Sequence, residues 1–160
     1  MELSFRLDDV RGPEVLDLLR RHLDTMAKHS PPESRHALDT SGLRAPDVTF
    51  WSVWSKAMLV GVGALKEIDP RHGEIKSMHT AEAMRGQGIA ARMLLHIMKE
   101  ARARGYRRLS LETGSMAAFA PARALYERYG FTDCPPFADY RLDPNSSFMT
   151  LELPDFPPGA

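Results

Sequence analysis

The chain is short of cysteine, of charge imbalance and of long apolar runs. A single thiol, Cys134, cannot form an internal disulfide or anchor a structural zinc. The six histidines fall in no His-Glu-x-x-His spacing, so no metal is expected. Lysine plus arginine and aspartate plus glutamate both number 21, so no overall field draws the chain to nucleic acid or to a membrane surface. No stretch approaches the roughly 18 consecutive apolar residues that cross a bilayer. The N-terminal MELSFRLDDV has no positively charged region leading into an apolar core. These absences point to a cytoplasmic protein that handles a small molecule. Repeats, low-complexity segments and the Gly-Lys-Ser/Thr of a nucleotide P-loop are missing too.

What is present suits one domain over residues 1–153, with a proline-rich tail at 154–160. Residues 3–7 alternate as a strand, and Gly12-Pro13 then opens an amphipathic helix carrying Val15, Leu16, Leu18, Leu19, Leu23 and Met26. Pro31-Pro32 stops that helix and begins a polar loop reaching to Pro46. Residues 48–54 and 58–65 read as a hairpin about Ser55-Lys56, continuing through 67–73 into a strand at Glu74. A strand over 107–113 must run parallel to that one, because a helix crosses between them. Residues 131–140, interrupted by Pro135-Pro136, and residues 148–153 are expected as closing strands.

Residues 75–105 organise the rest. Ile75, Ser77 and His79 alternate with Lys76 and Met78 as on a pleat, whereas Ile89, Ala90, Met93, Leu94, Ile97, Met98 and Ala101 recur at helical spacing. The period changes at Gly86 and Gly88, which leave no Cβ before a helix start with unpaired N–H groups and a positive dipole end. Such a junction can cradle an anion, most naturally a diphosphate, or be a plain strand-turn-helix corner. The dinucleotide pattern fails, because Gly86-Gln87-Gly88-Ile89-Ala90-Ala91 lacks the third glycine and lies mid-chain.

Arg85-x-x-Gly88-x-Ala90 resembles the pyrophosphate-binding signature of the GCN5-related N-acetyltransferase (GNAT) family. The run Ala124-Leu125-Tyr126-Glu127-Arg128-Tyr129-Gly130-Phe131 is similar to a second signature of that family, one strand and one helix further on. The resemblance implies an α/β fold: a mixed sheet of six or seven strands, a central parallel pair and about four helices. It implies transfer of acetyl from acetyl-CoA to an amine by direct attack, without a metal. The expected acceptor is a small-molecule amine or amino acid. Transfer to a protein N-terminus or lysine, and a CoA-sensing domain without turnover, stand as alternatives. The family's frequent dimers imply a homodimer.

By the same resemblance, Met78, His79 and Thr80 contact the donor's pantetheine arm, and Arg85, Gly86, Gln87, Gly88, Ile89 and Ala90 hold its diphosphate. Arg92 either adds charge there or points to solvent. Acetylation needs a neutral amine, hence a base. Glu112 and Glu74 match family positions for one, Glu112 being preferred; water is the third option, and a structural carboxylate is the alternative role for either. Tyr126 matches the tyrosine that protonates the departing thiolate, against a core-packing role. Phe119 stands where the family commonly has a donor-binding Asn, which leaves Ser115, Phe119 and Arg123 as weaker contacts. Arg35, His36 and Arg44 of the polar loop are acceptor contacts or solvated charge. Cys134 reads as packing, and Met93, Met98 and Met116 as core filler.

Overall fold

A computed structural model describes residues 1–154. The elements run β1 (Ser4–Leu7), α1 (Pro13–His29), α2 (Thr40–Leu43), β2 (Val48–Ser55), β3 (Met58–Asp69), β4 (His72–Thr80), α3 (Ile89–Ala103), β5 (Arg108–Gly114), α4 (Ala120–Arg128), β6 (Thr132–Asp133) and β7 (Ser146–Glu152). One seven-stranded sheet has the order β1-β2-β3-β4-β5-β7-β6. Its first four strands are antiparallel, β4 and β5 are the parallel pair, and β7 returns antiparallel to β5.

Local chemistry accounts for the helices. Pro13 sits at the start of α1, where its missing N–H is no loss, and Ser30 leaves helical geometry because Pro31 follows. Val15, Leu18 and Leu19 form the buried face of α1. In α3 the buried residues Ile89, Met93, Leu94, Ile97, Met98 and Ala101 repeat at three and four.

The two faces of the sheet are covered unequally. One buries Val60, Leu65, Ile75, Leu109, Leu111 and Met149 beneath α3 and α4. The other buries Val10, Val15, Leu18, Leu19, Leu43, Phe50, Val62 and Ala64 beneath α1 and α2. On that second face the apolar cover stops at β3. Lys76 pairs with Ala64, Glu74 with Lys66, and Ser110 with Glu74, so β4 and β5 present polar side chains there.

The expected closing strand over 131–140 is corrected: only Thr132 and Asp133 pair with β7. Pro135 and Pro136 offer no N–H to a ladder, and Ala138 adopts φ 51°, so the chain leaves the sheet as a loop. The hairpin turns on Lys56, at φ 55°, and β3 runs on to Asp69. Met93 and Met98 are buried, whereas Met116 sits half-exposed in the turn before α4. Of the expected tail, residues 155–160 lie outside the described residues.

Candidate active site

The parallel pairing is brief. It joins His72, Gly73 and Glu74 to Arg108, Leu109 and Ser110 and goes no further. A β-bulge in β4 at Ser77 and Met78, with Ser77 at φ 54°, bends that strand, which stays paired with β3 as far as Thr80. β5 stays with β7 as far as Gly114. Residues 75–80 and 111–114 thus face each other with free backbone edges across a cavity of about 660 Å³.

At one end of the cavity lie Arg85, Gly86, Gly88, Ile89 and Ala90, with Met78, His79 and Thr80 along its wall; Gln87 does not line it. Gly86 and Gly88 both hold φ 78°, and a Cβ at either would meet nothing within 4 Å. Gly88 caps α3 without a side-chain hydrogen bond, and the first turn carries no acidic residue. The open N–H groups and the space in front of them fit an anionic group such as a diphosphate. Arg92 is spent elsewhere, donating to the Met1 carbonyl oxygen at 2.6 Å.

Glu74, Glu112 and Tyr126 line the same cavity. Glu74 is 3% exposed and occupied: the Tyr140 hydroxyl donates to its Oε2 at 2.5 Å, and Lys76 Nζ lies 3.2 Å from the same oxygen. Glu112, two residues beyond the last parallel rung, has no ion pair among the described residues. Burial pushes its carboxyl up to about 7, against the opposing pull of the Ser146 hydroxyl and the Lys76 charge; Glu74 and Asp143 add to the rise. Tyr126 is 6% exposed, edge-on to Phe131 at 5.6 Å, and burial raises its phenol above the ordinary value, so it is a neutral hydroxyl at pH 7.

On α1, His22 places Nδ1 3.2 Å from Nδ1 of His79. One ring must donate and the other accept, so the pair is at most singly protonated. Burial depresses both, His22 to about 4 and His79 to about 3, with His22 and Arg85 also disfavouring charge on His79.

The remaining predicted contacts divide. His36 lines the cavity, edge-on to Tyr140 at 5.0 Å. Arg35 instead donates to the carbonyl oxygens of Ser30 and Ala27, and Arg44 to that of Val10, so both pin backbone. Phe119 reaches the cavity by lying over Gly114, where a Cβ would come within 2.2 Å of its ring. Arg123 holds that turn through the carbonyl oxygens of Gly114 and Met116, and Ser115 donates to that of Pro144. Cys134 is half-buried, and burial pushes its thiol up, which disfavours the thiolate. Among the described residues no cluster of three metal-ligating side chains occurs and no helix is long and apolar enough to cross a membrane.

Sequence reasoning passed over Lys76, Tyr140 and His22. Lys76 shares a strand face with Glu74 by simple alternation, a signal that was present; nothing local marked Tyr140 or paired His22 with His79.

Residues 14–131 match the model of the acetyltransferase (GNAT) family. The chain is 56% identical over 151 residues to the "uncharacterized N-acetyltransferase YsnE" of Bacillus subtilis, covering 94% of this chain and all of that protein. It is 51% identical over 150 residues to the "uncharacterized N-acetyltransferase YedL" of Escherichia coli, covering 94% of each. Among solved structures, the PaiA N-acetyltransferase of Thermoplasma acidophilum in complex with coenzyme A has the same fold. The TM-score is 0.76 at 16% identity, over 96% of this chain and all of that one.

Proposed function

We propose that this chain, which belongs to the acetyltransferase (GNAT) family, takes acetyl-CoA as donor and acetylates the amine of a small molecule by direct attack in a ternary complex. Acetyl-CoA supplies an activated acetyl thioester. The N–H groups of the Gly86–Ile89 turn, with Arg85 beside them, receive the diphosphate, and the free β4 edge at Met78, His79 and Thr80 receives the amides of the pantetheine arm. Glu112 takes the proton of the acceptor ammonium, and Tyr126 gives its proton to the leaving sulfur. Glu74 is engaged by Lys76 and Tyr140, which favours Glu112 as the base.

One observation carries the reading. The parting of β4 from β5 just past Glu74 and Ser110 brings an open helix end, a carboxylate without an ion pair among the described residues and a neutral phenol onto one cavity. The loop before β7 crosses the acceptor side, where Ser34 donates to Asp143 at 2.5 Å and Lys76 donates to the Tyr140 hydroxyl at 2.8 Å. A crossing loop favours a small acceptor over a protein chain. Thiol release from acetyl-CoA, measured across a panel of amines, tests the proposal. Release that depends on the amine is expected; donor binding without release under any amine would leave a CoA-sensing domain in its place.

A further inference from the structure

A second cavity of about 670 Å³ adjoins the first and shares Ser34, His36, Glu74, Lys76 and Tyr140 with it. Lys76 stands at the junction. Its side chain is only 8% exposed, and two of its three N–H bonds are spent, on Glu74 Oε2 at 3.2 Å and on the Tyr140 hydroxyl at 2.8 Å. The third N–H has no partner among the described residues, on a side chain that lines both cavities. A buried ammonium with an unmet donor is costly, and a buried ion pair seldom repays its own desolvation. An anionic ligand group would complete it.

From this we infer that Lys76 is the anchor for a carboxylate on the acceptor, so that the acceptor is an amino acid rather than a plain amine. The inference rests on the proposed acetyl transfer. The acceptor enters through the second cavity, sets its carboxylate on the third N–H of Lys76 beside the Tyr140 hydroxyl, and turns its amine toward Glu112 in the first. The charge around that second cavity suits a zwitterion: Lys66, Lys76 and Arg141 stand against Glu33, Glu74, Asp139 and Asp143, three cations to four anions. A polyamine or a phosphorylated acceptor would gain little net attraction from so nearly balanced a set.

The test compares free α-amino acids with their own carboxamides, using thiol release from acetyl-CoA by the full chain. Each pair keeps its side chain and loses the charged carboxylate; because the amide's amine is also less basic, rates are compared per free amine. The acid should exceed its amide in kcat/KM by about 10- to 100-fold, the range for a hydrogen bond to a charged group. The difference should lie mostly in KM. Lys76→Met should abolish the preference by raising KM for the acid alone, and Lys76→Arg should restore part of it. Because Lys76→Met leaves Glu74 buried without a counter-charge, the pair Lys76→Met with Glu74→Gln is measured beside it. Amides as good as acids, or a preference that survives in the folded double variant, would overturn the inference while leaving acetyl transfer intact. An equal loss for acid and amide, with a shifted pH profile, would do so too, by making Lys76 a tuner of Glu112. No release with any amine would remove both readings together.

Discussion

Glu74 and Glu112 stand on the same face of adjacent parallel strands, one at the last hydrogen-bonded rung and the other a single alternation beyond it. The first is closed off by Tyr140 and Lys76, and the second is half-buried without an ion pair among the described residues. A difference of two residues therefore separates a paired carboxylate from one whose proton is poised near neutrality.

That contrast sets the pH dependence. A base that ionises at about 7 gives kcat/KM an acidic limb centred there, with activity rising as pH increases. Glu112→Gln should flatten the limb and lower the rate about 100-fold or more at pH 7. A limb unchanged in the variant would transfer the base role to water or Glu74.

The same carboxyl should cost stability at high pH. Its folded pKa, about 7, exceeds the unfolded 4.5, so its contribution is complete below pH 4.5 and is lost as pH rises through 7. Glu112→Gln should therefore unfold at higher temperature than the parent at pH 8, and no higher at pH 4. Calorimetric melting at both pH values checks this.

His22 and His79 act with the opposite sign. Their folded pKa values, about 4 and about 3, lie below the ordinary 6.5, so the unfolded chain binds more protons between those limits. Stability should fall as pH drops from 6.5 toward 4, by up to about 3 kcal/mol for His22 alone at 1.36 kcal/mol per pKa unit. His22→Phe should be visibly less acid-sensitive in denaturant melts; an unchanged slope against pH would show that the pair titrates normally.

Tyr126→Phe removes the hydroxyl proposed as proton donor while keeping the ring against Phe131. Turnover should fall about 100-fold, with acetyl-CoA affinity near that of the parent. Parent-like turnover would return Tyr126 to a packing role beside Phe131.

Gly88 needs a substitution that separates strain from obstruction, because at φ 78° most side chains distort the backbone before they meet a ligand. Asparagine tolerates that region better than valine. Gly88→Asn should keep its circular dichroism and lose at least about 10-fold in CoA affinity by calorimetry, the equivalent of 1.4 kcal/mol. Full affinity in the folded variant would remove the loop from the diphosphate site.

Much of this protein was written in local spacing. Alternation marked β2, β3, β4 and β5, a three-four repeat marked α3, and Gly86 and Gly88 marked the turn between them, because pleat and helix periods and left-handed backbone are properties of neighbouring residues. The parallel pair followed from the length of the crossover. Glu112 and Tyr126 were singled out by family-like positions in the sequence, and both line the cavity. Tertiary structure decided where β4 and β5 separate and hence how wide the cavity is. It decided that residues 134–145 leave the sheet and carry Tyr140 to Glu74, 66 positions away, and that His22 meets His79 across 57. It also decided which arginines point to backbone. Such encounters depend on how a bulged strand bends and how a proline-broken loop returns, and a sequence period carries no information over those separations.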